Sequence, residues 1–235
     1  MRRIIPVLDI RQGQVVQAAG GDRALYEPVQ SVLTHSVDPI QVVDDLLRFA
    51  PFPVFYLADL DAIMGEPAQR RLIVELCRRR PDVEFWVDAG PPPDPEEIFP
   101  ANLRPIVGTE FVRAWTTRDD RTILSLDFDR EGLRGGTEIW MQPDSWPARV
   151  IVMCLHRVGS MEGPDFRLLN RIRRLRPDCR LAAAGGVRNS DDARQLLATG
   201  MDVLTASMLH QGRMSAEKIQ QIEVHRIERR HHSDP

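Results

Sequence analysis

Acidic side chains follow five successive apolar runs of the chain, a pattern that indicates acid–base chemistry at one edge of a sheet. These residues are Asp9, Asp59 with Asp61, Asp88, Glu110 and Asp127. A single Asp after a strand is a common helix cap and carries little information about function. Because five successive runs end in this way, we interpret the acids as members of one site, with helix capping as the alternative for each of them.

Eight short apolar runs alternate with amphipathic segments, and this alternation predicts the elements that position the acids. The predicted strands cover residues 4–8, 54–58, 84–87, 105–107, 123–126, 149–153, 180–184 and 203–204. The predicted helices cover residues 39–49, 66–80, 165–175, 189–199 and 215–227. Such alternation is typical of βαβ units, so we predict one α/β domain over residues 1–235, a closed (β/α)8 TIM barrel whose residues 229–235 form a disordered tail.

Two connections are too short for a full helix. The proline-rich segment 91–95 leaves only residues 96–102 after the third strand, and residues 141–148 contain two prolines after the fifth strand. Proline disfavours the interior of a helix. We therefore predict shortened helices after strands 3 and 5. The exposed flank could form a homo-oligomer interface or a contact with another subunit, or a loop could cover it.

Asp9 and Asp127 are predicted to lie on opposite sides of the barrel mouth, because strands 1 and 5 are diametrically opposed in a ring of eight. Strand alternation places Asp9 on the face of Val7, and Asp127 on the face of Ser125. Two opposed carboxylates with different pKa values suit general acid–base catalysis, in which one removes a proton and the other donates one. The alternative is that one or both only accept hydrogen bonds from loop amides.

Small residues follow the seventh and eighth strands. They are Gly185 and Gly186 after strand 7, and Ala206 and Ser207 after strand 8. Small side chains let backbone N–H groups approach an anion, and these two loops are the usual phosphate site of a (β/α)8 barrel. The sequence thus predicts phosphate binding by these four residues, although a glycine pair by itself also suits a tight turn.

Composition excludes several classes of function. The net charge of −3 offers no concentrated basic face, so no nucleic-acid partner is predicted. Lys218 is the only lysine and lies in a polar helical segment, which disfavours imine chemistry. The three cysteines lack metal-site or disulfide spacing, and we predict neither a metal nor a cofactor. Without a signal peptide or an apolar span, the expected location is cytoplasmic, with no membrane partner.

Three motifs resemble a known family. Residues 4–10, Leu126-Asp127, and Gly185 to Val187 with residues 191–193 are similar to the barrel family that contains the ribotide isomerase of histidine biosynthesis and the synthase that acts after it. The resemblance covers nearly the full chain. It implies a (β/α)8 fold with Asp9 as general base, Asp127 as general acid and Trp140 at the position of a substrate-loop tryptophan.

Two loops depart from that family pattern. Asp88 and two prolines stand where the isomerase has a glycine-rich loop for a second phosphate, and a loop with His156 replaces its Asp-rich loop after strand 6. An aspartate repels a phosphate and prolines remove N–H donors. We therefore expect a substrate with one phosphate. The predicted substrate-binding residues are Arg23, Asp59, Asp88, Glu110, Trp140 and His156.

Segments near the N-terminus resemble a divergent branch of the family that occurs in methanogens and methylotrophs. They are Gly21 to Arg23, Tyr26 to Val29, Ser31 and Asp38-Pro39. The resemblance implies an association with one-carbon metabolism that uses tetrahydromethanopterin and methanofuran-type cofactors. It implies a pathway and leaves the reaction open.

Together these patterns predict an isomerase-like enzyme, of the aldose–ketose type or a related lyase or synthase. Its substrate is predicted to be a small phosphorylated metabolite, of the sugar or amino-sugar type. Two alternatives stay open. The carboxylates could bind Mg²⁺, which prefers oxygen ligands. The chain could also be a non-catalytic subunit or scaffold of a cofactor-biosynthesis complex.

Overall fold

Buried apolar strands form a closed parallel barrel, as the sequence predicts. A computed structural model describes residues 3–17, 25–94, 96–115, 120–160 and 162–221. The strands are β1 (Ile4–Arg11), β2 (Gln14–Gln17), β3 (Glu27–Pro28), β4 (Val54–Asp59), β5 (Glu84–Asp88), β6 (Leu103–Gly108), β7 (Ile123–Phe128), β8 (Arg149–Cys154), β9 (Arg180–Ala184) and β10 (Asp202–Thr205). Parallel pairing runs from β1 through β4 to β10, and β10 pairs with β1 to close the ring of eight. The (β/α)8 fold is confirmed.

Residues of each barrel strand alternate between two hydrophobic cores. One core fills the inside of the barrel and includes Ile5, Tyr56 and Ile123. The other lies between the barrel and the surrounding helices and includes Leu8, Leu57 and others. Because side chains of a strand point alternately to its two faces, this alternation decides which residue at each strand end reaches the mouth.

The longer helices pack on the outside of the barrel, and two of the short ones contribute residues to its mouth. The helices are α1 (Pro39–Phe49), α2 (Leu60–Ile63), α3 (Arg70–Arg79), α4 (Thr137–Met141), α5 (Phe166–Leu175), α6 (Ser190–Ala198) and α7 (Ser207–His210). The two at the mouth are α2 and α7. A further helical segment begins at Ala216 and reaches the end of the described chain at Gln221. The predicted tail at 229–235 lies outside the described residues.

Side-chain caps define where several helices begin. Asp38 accepts a hydrogen bond from the N–H of Gln41 at the start of α1, and Asp165 accepts one from Leu168 at the start of α5. Such caps satisfy N–H groups that have no partner within the helix. The predicted bounds of α1 and α5 are accordingly close, whereas α3 begins four residues later than predicted.

One flank of the barrel has little helical cover. Between β5 and β6, the described residues 89–94 and 96–102 contain only turns and coil. Between β7 and β8, α4 and a 3-10 turn over Pro143–Ser145 replace a full helix. The shortened connections after strands 3 and 5 are thus confirmed. An interface at this flank stays a prediction.

A hairpin that the sequence analysis missed leaves the barrel at its mouth. The lower half of β1 pairs with β10 through residues 4–6, and its upper half pairs antiparallel with β2 through residues 9–11. Strand β3 then pairs with β2. The chain returns past α7, where the N–H of Val32 donates to the carbonyl of His210 at 2.9 Å. The hairpin therefore lies at the mouth beside the junction of β1 and β10 and forms part of the wall.

No helix among the described residues is long and apolar enough to cross a membrane. The three cysteines are free thiols and buried.

Candidate active site

A cavity opens at the carboxyl end of the barrel strands. Its described wall includes four of the predicted acids and all four predicted phosphate-binding residues. The acids are Asp9, Asp88, Glu110 and Asp127, and the small residues are Gly185, Gly186, Ala206 and Ser207. The carboxyl end is where (β/α)8 barrels carry their active sites. The structure therefore brings the acidic and glycine-containing motifs into one cavity.

Asp127 is the most buried carboxylate of this cavity, with 4% of its surface exposed. Ser125 donates a hydrogen bond to its Oδ1 at 2.6 Å, and the N–H of Glu110 donates to its Oδ2 at 3.3 Å. Burial, helped by the charges of Asp88 and Glu110, raises the pKa of Asp127 to about 7, although the hydrogen bonds from Ser125 and the N–H of Glu110 act to lower it. A carboxyl group that is partly protonated near neutral pH is suited to donate a proton.

Gly108 makes room for this carboxyl group. A Cβ atom at position 108 would lie 2.6 Å from Asp127 Oδ2, closer than non-bonded atoms approach. This role of Gly108 has no signal in the sequence, because the apolar run before it does not reveal which residue of the neighbouring strand it will contact. The carboxyl group of Asp127 on β7 therefore fits only if the residue at the end of β6 is glycine.

Asp9 lies on the opposite side of the ring. Strands β1 and β7 are separated by β4, β5 and β6 in the barrel, so they are diametrically opposed. Asp9 is half-buried and lines the same cavity as Asp127. The charges of both residues raise the pKa of Tyr56, which lies on the strand next to β1. The two carboxylates therefore flank one space, as the sequence predicts, although their catalytic roles stay predictions.

Tyr56 and Asp88 form a buried pair in the cavity wall that the sequence analysis missed. The Tyr56 hydroxyl donates to Asp88 Oδ2 at 3.0 Å, and the N–H of Gly90 donates to Oδ1 at 3.1 Å. Burial and the charges of Asp88, Asp9 and Asp127 raise the pKa of Tyr56 well above its usual value. Tyr56 thus stays a hydrogen-bond donor. Tyr56 lies within an apolar run, so the sequence does not indicate a hydrogen-bonding role. Only its inward-facing position on the strand is consistent with that role.

Asp59 does not reach the cavity. Alternation turns Ala58 toward the mouth and Asp59 away from it, where its buried carboxylate accepts hydrogen bonds from the N–H groups of Ala62 at 3.1 Å and Gln69 at 2.6 Å. Asp61 likewise bonds the N–H of Gln12 at 2.8 Å. Asp59 therefore caps the start of α2, the alternative role of these acids, and does not contact a ligand in the mouth cavity.

Gly185 and Gly186 form the opposite rim of the cavity. Their φ angles are 95° and 84°, in the region that favours glycine. A Cβ on Gly185 would lie 2.4 Å from the carbonyl oxygen of Cys154, and one on Gly186 would lie 2.3 Å from that of Gly163. Only glycine fits at either position, which leaves their backbone open to the cavity beside Ala206 and Ser207.

Trp140 and His156 lie beside the mouth cavity, in the wall of a second cavity. Trp140 packs edge-on against Phe128 with ring centroids 6.0 Å apart, and the Arg171 guanidinium lies 5.0 Å from its ring centre. Neither Trp140 nor His156 lines the first cavity among its described wall residues. Arg23 lies outside the described residues. Substrate binding by these three residues stays a prediction.

Arg157 and His210 also line the mouth cavity, and the sequence analysis named neither. His210 lies 2.9 Å through Nδ1 from Ser31 Oγ, and burial lowers its pKa to about 4, so it is neutral at pH 7. Arg157 lies shortly after β8, and this position at the carboxyl end of a strand is the feature of the sequence that indicates a place near the mouth. Within the described ranges, no group of three or more His, Cys, Asp or Glu side chains has a geometry suited to a metal ion.

The fold and this cavity define a class of protein: a (β/α)8 barrel whose mouth sets opposed carboxylates against a glycine rim. The family model described as "Histidine biosynthesis protein" matches residues 3–92 and 144–215, more than half of the chain. The chain belongs to that family. The unmatched segment 93–143 contains the shortened flank and Asp127.

Curated relatives extend over nearly the whole chain. An uncharacterised protein of Methanocaldococcus jannaschii is 26% identical over 223 residues, covering 92% of this chain and 97% of the relative. An imidazole-4-carboxamide isomerase of Myxococcus xanthus is 25% identical, with 92% and 96% covered. The isomerase of the same name in Gemmatimonas aurantiaca is 27% identical, with 92% and 96% covered. The names of both isomerases give their substrate two 5-phosphoribosyl groups.

Proposed function

We propose that this chain is an isomerase that acts on a small, monophosphorylated substrate of the sugar or amino-sugar type by general acid–base catalysis. The observation that carries the proposal is the single cavity in which Asp9 and Asp127 face each other beside a glycine rim. The names of the relatives support the reaction class.

The two carboxylates divide the proton transfers of the reaction. In an aldose–ketose isomerisation, one proton leaves the carbon next to the carbonyl or imine group, and another is delivered to an oxygen or nitrogen of the substrate. Asp127 is partly protonated near neutral pH, because its pKa is raised to about 7, and its protonated form donates the proton. Asp9, half-buried on the opposite strand, removes the other proton.

The glycine rim binds the phosphate group of the substrate. Backbone N–H groups of Gly185 and Gly186 approach an anion without hindrance from a side chain, and Ser207 adds a hydroxyl donor. The loops after the seventh and eighth strands are the usual phosphate site of this fold. This assignment orients the substrate with its reacting carbons over the centre of the barrel.

Asp88 and Glu110 bind the unphosphorylated end of the substrate through hydroxyl or amino groups. Both line the cavity on the acidic side, and Tyr56 adds a donor next to Asp88. A second phosphate at this end would face two carboxylates at short range, which is unfavourable at any protein dielectric. We therefore do not assign to this chain the substrate with two phosphoribosyl groups that names its relatives.

Ligand screening tests the proposal against both alternatives. We expect ribose 5-phosphate and inorganic phosphate to raise the melting temperature of the full chain, and Mg²⁺ alone to leave it unchanged. Stabilisation by Mg²⁺ alone would favour the metal-dependent enzyme, and no response to any ligand would favour the scaffold. Once a substrate is found, full turnover by both Asp9→Asn and Asp127→Asn would exclude the assigned acid–base pair.

A place in one-carbon cofactor metabolism rests on the resemblance of the N-terminal segments. The name of the methanogen relative gives no activity, so this placement stays a prediction. Deletion of the gene in its own host, with analysis of the accumulated phosphorylated metabolites, would test it.

A further inference from the structure

Acidic side chains outnumber basic ones among the described wall residues of the mouth cavity. Among its described wall residues, Arg157 is the only Arg or Lys, whereas four carboxylates line the same wall. A phosphate carries up to two negative charges near pH 7. Backbone N–H groups alone leave that charge uncompensated in a cavity that already carries several acids. The location of Arg157 relative to the glycine rim therefore decides whether this side chain can compensate the charge of a bound phosphate.

Arg157 is fixed next to the glycine rim. Its Nη1 donates to the carbonyl oxygen of Gly163 at 2.7 Å. The same carbonyl oxygen lies 2.3 Å from the position that a Cβ atom of Gly186 would take. The guanidinium and the backbone of Gly186 therefore meet at one peptide group. The side chain is 23% exposed, so most of it is shielded from solvent.

The guanidinium retains donors for a ligand. It has five N–H groups. Besides the Gly163 contact, Nε lies 3.4 Å from His156 Nε2, and Nη2 lies 3.8 Å from Asp165 Oδ2, beyond hydrogen-bond distance. Asp165 itself caps α5 through the N–H of Leu168. Among the described residues, the Asp165 carboxylate thus attracts Nη2 but does not accept a hydrogen bond from it, so the N–H donors of Nη2 can bind a ligand.

We propose that Arg157 is a substrate-binding residue that pairs with the phosphate group at the rim of Gly185, Gly186 and Ser207. The inference rests on the proposed function and deepens it. Arginine binds phosphate through charge-assisted and often bidentate hydrogen bonds. Arg157 thereby favours phosphorylated substrates, because an uncharged substrate offers the guanidinium no anion in addition to the carboxylate of Asp165, whose Oδ2 lies 3.8 Å from Nη2.

Calorimetric titration of the full chain with inorganic phosphate tests this role. Arg157→Gln should weaken phosphate binding by about tenfold or more, since hydrogen bonds to charged groups contribute that much. Arg157→Lys should recover part of the loss. The matched control is Arg188→Gln. Arg188 also packs on Gly163, but its guanidinium is paired with Asp192 at 2.8 Å and does not line the cavity, so phosphate affinity should be unchanged.

A second variant is expected to raise phosphate affinity, and it tests the same contact if Arg157→Gln does not fold. Asp165→Asn keeps a good helix cap but removes the charge that competes for Arg157. Phosphate affinity should then rise by about two- to threefold, as expected for an ion pair of this exposure. The rise should vanish in the Arg157→Gln background if the two residues act through one contact.

The outcomes separate the inference from the proposed function. If wild-type chain binds no phosphate, both fail. If Gly186→Ala abolishes binding while Arg157→Gln binds phosphate normally, the phosphate site stands and the role of Arg157 is refuted. Equal weakening by Arg188→Gln, or unchanged affinity in Asp165→Asn, also refutes it. Weakening confined to the Arg157 variants together with tighter binding by Asp165→Asn supports it.

Discussion

The two halves of the mouth differ in the charge that they favour in a ligand. The acidic half, on β1, β5, β6 and β7, gathers four carboxylates and removes one of them, Asp127, almost completely from water. The rim after β9 and β10 presents backbone through glycines, with Arg157 beside it. The acidic half therefore raises the free energy of negative charge, and the glycine rim lowers it. A substrate with one anionic end has only one favourable orientation between them.

The largest effect is expected in the acidic half. Asp127→Asn removes the proton donor but retains its size, so kcat should fall by about a hundredfold or more, the usual contribution of a general acid. Turnover of a substrate found by ligand screening measures the loss. Asp61→Asn is the matched control, because Asp61 is an acid after β4 that does not line the cavity. Full turnover by Asp127→Asn would remove the acid from the proposed mechanism.

The glycine rim is tested by two glycines with nearly equal backbone angles. Gly186 has φ 84° and Gly65 has φ 85°, but a Cβ would meet the Gly163 carbonyl only at Gly186. Gly65→Ala should cost about 1 kcal/mol of unfolding free energy, from its positive φ alone. Gly186→Ala should cost more and abolish phosphate binding. Denaturant titration and calorimetry measure the two effects, and equal costs would mean that the close approach at the rim is relaxed in solution.

The halves should also respond to pH in opposite directions. The pKa of Asp127, about 7, lies above that of an unfolded Asp, so its contribution to stability is full at low pH and is lost as pH rises through 7. The pKa of His210, about 4, lies below its unfolded value of about 6.5, so its contribution is lost as pH falls from 6.5 toward 4. Denaturant titrations at pH 4, 6 and 8 measure both slopes. Asp127→Asn should abolish the decline between pH 6 and 8, and a decline that persists in this variant would contradict the assignment.

The smallest expected effect concerns the pair of Tyr56 and Asp88 in the acidic half. Tyr56→Phe removes the hydroxyl that donates to Asp88 at 3.0 Å and should lower the unfolding free energy by about 1 kcal/mol or somewhat more. The loss arises mainly because Asp88 keeps its burial but loses a donor. Phosphate affinity should stay unchanged, since the rim lies across the barrel. A change in phosphate binding as large as that of Arg157→Gln would show that the two halves are not independent.

The strands were predictable because buried parallel strands are continuous apolar runs, and this signal is local. The site was only partly predictable. Asp59 and Asp88 are both acids after a strand, yet one caps a helix and the other lines the mouth, because a shift of one residue reverses the direction of a side chain. Tyr56 looked like one more apolar strand residue. Gly108 and Arg157 depend on contacts with neighbouring strands and loops, which a single sequence does not reveal.

The hairpin of β2 and β3 leaves the barrel at the seam between the first and last strands and supplies Val16, Gln17 and Tyr26 to the cavity wall. Since its hydrogen-bonded ladder reaches only the upper half of β1, its length and sequence can change while the eight-stranded closure below stays intact. Substrate preference can thus diverge through Tyr26 and β3, which lie beyond the pairing of β2 with β1 at Asp9. Tyr26 to Val29, one of the segments whose sequence resembles a divergent branch of the family, lies in and next to β3.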